Sequence, residues 1–387
     1  MCIAADMLTI GFPAAAVGAA LIRMETPEPY DDLWSEDCDA VLTVMASLRP
    51  TDAQNHAAQA AAALRAYGCE LRVRHNTRSV CLILHRSRPP LFVKTEFGHD
   101  TATHREVAWY VAVRRTRPDI SPFLGGVRAD THATVVLANL ATAETFDARA
   151  LAGKIDEGQV AAAVTAAVHV DKELFEGHRS RRAARGEDVF RQRAALRNRE
   201  ARRLSYLRRL IDAPGHLING AWLAGPWRWL EHLARRPAAQ AYVTSDRYGF
   251  IHGDLHGGNI LMVAERLHLV DPNGRRWLPL AYDLGKIMHT VHGGYGSIMD
   301  GHYQLSVGPA EIMFRWEQPA VLHAGRTALQ AQITDRQFAQ ALYAQAMHFA
   351  AMLPHHGTHR RETIALYIRA CQTFADLFDV LDVRIPR

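Results

Sequence analysis

A chain of 387 residues, 48% hydrophobic and 22% charged, has globular composition and enough length to bury a core without disulfides or structural metals, which excludes disordered and fibrous classes. Its formal charge of +5 suits an anionic ligand such as a nucleotide without defining one. The five cysteines, Cys2, Cys38, Cys69, Cys81 and Cys371, are scattered and form no C-x-x-C pair, so the expected setting is a reduced cytoplasm with no structural zinc.

The apolar stretch Ile10 to Ile22 is too short to span a bilayer and lacks the positive flank of a signal peptide. It reads as a local N-terminal segment. No other stretch is long and apolar enough for a membrane helix. Asp39–Leu48 and Thr51–Tyr67 read as helices, the second opened by Thr51-Asp52 and stopped by Gly68. Short β-type runs follow at Glu70–Arg74, Val80–His85 and Leu91–Thr95. A helix is predicted at about Thr103–Arg114, then strands near Pro122–Val127 and Ala133–Leu140. From about residue 147 to 240 the pattern is helical, with no convincing strand before Phe250–Ile251. Ile260–Val263 and Leu267–Val270 form a hairpin about Ala264–Arg266, and the remainder reads as mostly helical. The domain expectation is an N-terminal helical extension (1–68), a β-rich lobe (69–140) and a helical lobe (141–387).

Two compositional features stand out. The chain has only four lysines, Lys94, Lys154, Lys172 and Lys286, among 45 basic residues, so each lysine merits attention. From His178 to Leu210 a dozen arginines accumulate. That bias fits a nucleic-acid surface or a solvated amphipathic helix with Phe190, Leu196, Leu204 and Leu207 among its apolar positions. No aromatic interleaving accompanies it, and the helix is the preferred reading.

The segment Phe250–Asp271 carries the chemistry. A strand leads into His252-Gly-Asp254-Leu-His256-Gly-Gly-Asn259-Ile-Leu, and a hairpin returns the chain to Asp271. Gly257 and Gly258 read as giving the loop flexibility. Two carboxylates and a carboxamide are thereby expected in one place. Hard oxygen ligands suit magnesium, and a carboxylate not committed to metal can take the proton of an attacking hydroxyl. Asp254 is the expected catalytic base, and Asn259 and Asp271 the magnesium ligands.

The H-x-D-x-x-x-x-N pattern followed by an aspartate after a hairpin is similar to the catalytic and metal-binding loops of protein kinases. The wording from His252 to Leu261 resembles the aminoglycoside phosphotransferase and choline kinase superfamily, as does Tyr282-Asp283-Leu284, which in that family braces the catalytic loop. The resemblance implies an α+β, two-lobed protein-kinase-like fold, with a small β-rich N-lobe and a larger, mostly helical C-lobe. It also implies ATP as phosphoryl donor, with GTP left open, and Mg2+ as cofactor. Lys94, ending the apolar run Leu91-Phe-Val, is then implied to contact the α- and β-phosphates, held by Glu106 on the next helix. Thr77, in the glycine-free turn His75–Ser79, would bond a phosphate or serve as an ordinary hairpin turn. Backbone groups near Leu137 and Asn139 would meet the adenine.

The expected partner is a small-molecule hydroxyl acceptor: an antibiotic, nucleoside, sugar or aminocyclitol, in drug inactivation or in biosynthesis. The spread of Asp300, Glu311 and Glu317 tilts the expectation towards a neutral or nucleoside-like acceptor. Nucleic-acid and membrane partners are not expected, and the chain is read as a monomer or homodimer. Arg275 and Arg276 are candidate anion clamps or exposed loop charges. The Gly- and His-rich segment His289–His302 lines the acceptor or simply connects helices. His355, His356 and His359 read as a surface cluster. Two rival functions remain: a metal-dependent hydrolase using His252-x-Asp254-x-His256, and a nucleotide-binding regulatory pseudokinase.

Overall fold

The computed structural model describes residues 20–23, 38, 41–43, 45–46, 62, 70–75, 79–85, 91–138, 143–177, 189–245, 247–263, 266–273 and 276–382. In chain order the elements begin with β1 (Ala20–Arg23), β2 (Glu70–His75), β3 (Ser79–His85), β4 (Leu91–Phe97), α1 (Ala102–Thr116), β5 (Phe123–Ala129), β6 (His132–Ala138) and β7 (Glu144–Thr145). Then come α2 (Phe146–Leu151), α3 (Glu157–Gly177), α4 (Val189–Ala201), α5 (Ser205–Asp212), β8 (Gly215–Ile218), β9 (Ala221–Ala224), α6 (Pro226–Ala234) and α7 (Pro237–Val243). The rest are β10 (Gly249–Phe250), β11 (Ile260–Val263), β12 (Arg266–Leu269), β13 (Arg276–Leu278), α8 (Ala281–Val291), α9 (Tyr295–Met299), β14 (Tyr303–Val307), β15 (Ile312–Trp316), α10 (Leu322–Gln332), α11 (Asp335–Met352) and α12 (Arg360–Val380). Contacts divide the chain into two units, Met1–Glu144 with Asn259–Arg275, and Thr145–Gly258 with Arg276–Arg387. Among the described residues no helix is long and apolar enough to cross a membrane.

In the first unit a six-stranded sheet runs β1-β5-β6-β4-β3-β2, with antiparallel neighbours throughout. β6 is buried at every position because β5 and β4 flank it and α1 packs on it. β4 alternates instead: Leu91, Val93 and Thr95 are buried on one face, and Phe92, Lys94 and Glu96 point to the other. α1 meets that second face. The Thr103 N–H and hydroxyl both donate to Glu96 Oε2, at 3.0 and 3.2 Å. Buried Tyr110 stacks flat on Phe123 of β5, with ring centroids 5.3 Å apart. The β11–β12 hairpin also goes with this unit, whereas the sequence reading sets it inside the helical lobe.

The second unit is mainly helical. α3 packs on α10, α8 on α11, and α11 on α12. The α8–α11 contact depends on Gly285, where a Cβ would lie 2.6 Å from Ala344 Cβ and 2.8 Å from the Gln345 nitrogen. Only a residue without a side chain lets α8 lie this close, and α8 carries Asp283 and Lys286. Above Asp283, Tyr282 stacks on Phe190 and accepts a hydrogen bond from Arg193. His348 Nε2 bonds the Tyr282 carbonyl at 3.0 Å.

The expected strands of the β-rich region are present with boundaries moved by one or two residues, and the helix expected at Thr103–Arg114 spans Ala102–Thr116. Two expectations fail. A four-stranded sheet, β14-β15-β8-β9, lies where only helices were expected. Its β8–β9 turn is Asn219-Gly220, both at positive φ (50° and 79°), the dipeptide that favours a tight two-residue hairpin. The arginine-rich helix is in fact two helices, α4 and α5. Phe190 and Leu207 are buried, but Leu196 is exposed. The expected helices at Asp39–Leu48 and Thr51–Tyr67 fall largely outside the described residues.

Gly285→Ala raises helix propensity by up to about 1 kcal/mol. It also drives a methyl into the backbone of α11, and overpacking of this kind costs about 1–3 kcal/mol. We expect a net loss of stability, read as a lower midpoint in urea unfolding.

Candidate active site

The loop from His252 to Gly258 is held by its own amides. The His252 N–H donates to Asp171 Oδ1 (3.1 Å), Gly253 to Asp283 Oδ2 (2.7 Å), Asp254 to His252 Nδ1 (3.3 Å) and Leu255 to Asp283 Oδ1 (3.3 Å). The His256 N–H donates to the Asp254 carbonyl (2.9 Å), Gly257 to Thr290 Oγ1 (2.7 Å) and Gly258 to His256 Nδ1 (3.1 Å). Seven consecutive donors thus have acceptors, in a stretch where an unmade bond costs about 1–3 kcal/mol. Gly253 has φ 84°, which a side chain would strain.

This arrangement corrects the reading of Gly257 and Gly258 as sources of flexibility. A Cβ on Gly257 would stand 2.2 Å from Asp147 Oδ1, and one on Gly258 would stand 2.8 Å from the His256 ring. Both glycines serve close packing.

The two carboxylates behind the loop are buried, and they face each other. Asp171 Oδ2 meets no donor except a proton shared with Asp283. Burial, and then the neighbouring Asp283 charge, push the Asp171 carboxyl well above its ordinary range, and burial lifts Asp283 to about 6 against the amides of Gly253 and Leu255. Asp283 is the partner that accepts two amides. Its bracing contacts are those the sequence suggested. Asp171 was missed, because nothing near it in sequence marks it as belonging to a loop 81 residues away.

Asp254 lies in the middle of the pinned loop with its side chain 34% exposed. Lys286 Nζ is 2.8 Å from Oδ1, and His256 Nε2 is 3.9 Å from Oδ2. Burial alone would raise this carboxyl, but Lys286, His256 and His252 outweigh it and hold Asp254 down at about 2. Lys286 drew notice in the sequence only for its rarity. Its spacing of three from Asp283, on the same helix face, was the available signal.

Asp147 is the other acid that sequence reading missed. Burial raises its carboxyl to about 7, opposed by a hydrogen bond from Thr290 and helped by the charge of Asp300. A Cβ on Gly296 would lie 3.0 Å from it.

Within the first unit, Lys94 Nζ lies 2.9 Å from Glu106 Oε2 and 2.6 Å from Asp271 Oδ1. Burial opposes the ammonium's charge, yet Glu106 and Asp271 hold it above its ordinary range. Burial lifts Glu106 to about 7 against the pull of Lys94. The structure therefore pairs Lys94 with Glu106, as the resemblance implied, and adds Asp271, a contact the sequence reading did not foresee. The Val270 N–H donates to the Asn259 carbonyl (3.0 Å) and closes the hairpin, so Asn259 and Asp271 flank its base. Asp271 has φ 54°, a left-handed conformation that aspartate tolerates better than most residues, and its N–H donates to the Tyr110 hydroxyl (3.2 Å). Its side chain is 61% exposed. A carboxamide and an exposed carboxylate at one hairpin base are hard oxygen donors of the kind magnesium takes.

Leu137 lies within β6, paired with Phe92 and Phe123. Thr77, Asn139 and Arg275 lie outside the described residues, and so does the side chain of Arg276. His289 and His292 are packing groups. His289 stacks on Phe349 at 4.2 Å and bonds the Gln345 carbonyl, and His292 bonds the Gln345 side chain. The rival hydrolase gains no support. The Nδ1 atoms of His252 and His256 both accept amides of their own loop, and among the described residues no group of three or more His, Cys, Asp or Glu is gathered to hold a metal.

Residues 79–304, more than half of the chain, match the phosphotransferase enzyme family. No curated protein matches the chain. Among solved structures it is similar to a glucosamine kinase in complex with glucosamine, ADP and inorganic phosphate (17% identity, 85% of this chain and 84% of that one, TM-score 0.47). It is also similar to a microcompartment-associated aminopropanol kinase (14% identity, 81% and 93%, TM-score 0.46) and to a spectinomycin phosphotransferase in complex with ADP and spectinomycin (10% identity, 81% and 91%, TM-score 0.42).

Asp171→Ala leaves a buried charge on Asp283 and orphans the His252 amide. A buried donor left without its acceptor costs about 1–3 kcal/mol. Asp171→Asn, which can still donate to Asp283 and accept from His252, should lose less than half as much. Chemical unfolding of the two variants distinguishes a shared proton from simple packing.

Proposed function

Because the chain belongs to the phosphotransferase enzyme family, we propose that it transfers the terminal phosphoryl group of ATP, with Mg2+, to a hydroxyl of a small molecule. The observation that carries the reading is Asp254, a carboxylate paired with Lys286 at 2.8 Å on a loop whose amides are all engaged. The acceptor oxygen attacks the terminal phosphorus, the bond to the bridging oxygen of ADP breaks, and the hydroxyl proton passes to Asp254. A carboxyl near 2 is a weak base before bond formation. In a loose transition state its first task is orientation, and it takes the proton once the new P–O bond has made the hydroxyl acidic.

Asn259 and Asp271 would hold the magnesium ion, which when bound neutralises charge on the phosphates. Lys94, fixed by Glu106, supplies a cation for the α- and β-phosphates, and it is charged at any working pH. GTP remains an alternative donor. Thr77, Leu137 and Asn139 keep the nucleotide-binding roles proposed from sequence. The acceptor classes are antibiotic, nucleoside, sugar and aminocyclitol, in drug inactivation or in biosynthesis, with the cytoplasm as the site of action.

A panel of these acceptors with ATP and magnesium, read by mass gain of one phosphoryl group, tests the assignment. Asp254→Ala should abolish turnover and keep nucleotide binding. Asp271→Ala should lose the magnesium-dependent part of nucleotide binding, measured by calorimetry. Near-normal turnover in Asp254→Ala would falsify the base assignment.

A further inference from the structure

Lys286 has no part in the transfer as described above, yet its ammonium touches the carboxylate of Asp254. Its side chain is 12% exposed and its Nζ lies 2.8 Å from Oδ1 of the carboxylate. An ion pair this enclosed is a poor source of stability, because desolvating both charges offsets their attraction. Stability therefore does not explain why the chain places an ammonium here.

The backbone does explain how it gets there. Asp283 and Lys286 are three residues apart on α8, so they share a face. The first grips the amides of Gly253 and Leu255, and the second grips the side chain of the residue between them. Gly285 lets α8 pack against Ala344, which fixes the helix that carries both.

Residue type points the same way. Only four of 45 basic residues are lysines, and two of these four, Lys94 and Lys286, pair with the acids Asp271 and Asp254. Lysine differs from arginine in presenting a compact point charge without a planar fork. A fork would bridge both carboxylate oxygens. An ammonium can hold one and leave the other.

We propose that Lys286 is a positioning residue for the transfer: by holding Oδ1 of Asp254 from the helix that also braces the loop, it sets the angle at which the carboxylate meets the acceptor hydroxyl. This rests on the phosphotransfer reading above. The other groups around Asp254 are His252 and His256 on its own loop, Asp283 and His289 on α8, and Tyr295 on α9. His289 is held neutral by burial, and burial lifts Tyr295 to about 12. Among the groups around Asp254, Lys286 contributes most to holding its carboxyl down.

The test uses the full chain with Lys286→Met, Lys286→Arg and Asp254→Asn, each checked for folding by circular dichroism. Carbon-13 NMR of labelled aspartate, with Asp254 identified by its absence in Asp254→Asn, reads the titration of that carboxyl directly. Lys286→Met should move it upward by at least one pH unit, and Lys286→Arg should leave it low. Turnover is read with magnesium-ATP and the acceptor that scores in the panel, or as hydrolysis to ADP if none scores. Lys286→Met should lower kcat about 100-fold with little change in KM for ATP. It should also steepen the acid limb between pH 4 and 6 relative to the unaltered chain, in which Glu106 and Asp283 already titrate, because the Asp254 carboxyl then protonates within that range as well. Lys286→Arg should lower kcat about tenfold without that steepening, separating aim from charge. If Lys286→Met leaves both the titration and the pH profile unchanged, the proposal is overturned. Full activity in Asp254→Asn would instead end the phosphotransfer reading itself, with the titration still deciding what Lys286 does to Asp254.

Discussion

Asp283 accepts the amides of Gly253 and Leu255, and Asp171, sharing a proton with it, accepts that of His252. Buried carboxylates are costly, and here the cost is offset by three amides that would otherwise be buried without acceptors. The reactive segment keeps one shape because any rearrangement would strand both sets of groups. Helix α8 inherits the constraint. It must carry Asp283 to the loop and lie against α11, and Gly285 is what makes the two demands compatible.

Charge is arranged differently in the two clusters that the loop and hairpin carry. Around Lys94, two carboxylates contend for one ammonium, and the buried one, Glu106, is lifted to about 7. Around Asp254 one carboxylate is met by a lysine and two histidines and is held near 2. The same pair of residue types thus yields an acid close to neutrality in one place and a permanent anion in the other. The count of charges and the depth of burial make the difference.

The loop and the hairpin were legible because their residues are near one another in sequence, and the Lys94–Glu106 pair was legible through the family resemblance that the loop motif carries. The strands of the β-rich region were legible from alternation, as β4 shows. The β8–β9 hairpin was overlooked although Asn219-Gly220 announces it, because its strands are only four residues long and lie among helices. Lys286 was overlooked although its spacing of three from Asp283 could be read, but Asp147 and Asp171 were beyond reach for another reason. Each acts on the loop from a distant segment, and a lone acid on a helix looks like any solvated charge until the fold brings it alongside the loop. Gly257 and Gly258 were misread because a glycine that permits contact and one that permits motion look identical in a sequence.

A stretch whose amides are all engaged internally has none left to form an anion hole. Many nucleotide-binding loops cradle phosphate in a nest of backbone donors, and residues 252–258 cannot do so without breaking bonds that hold their shape. Any oxyanion brought to this loop must therefore be answered by side chains, whose charge can be altered one residue at a time without unfolding the segment that aims it.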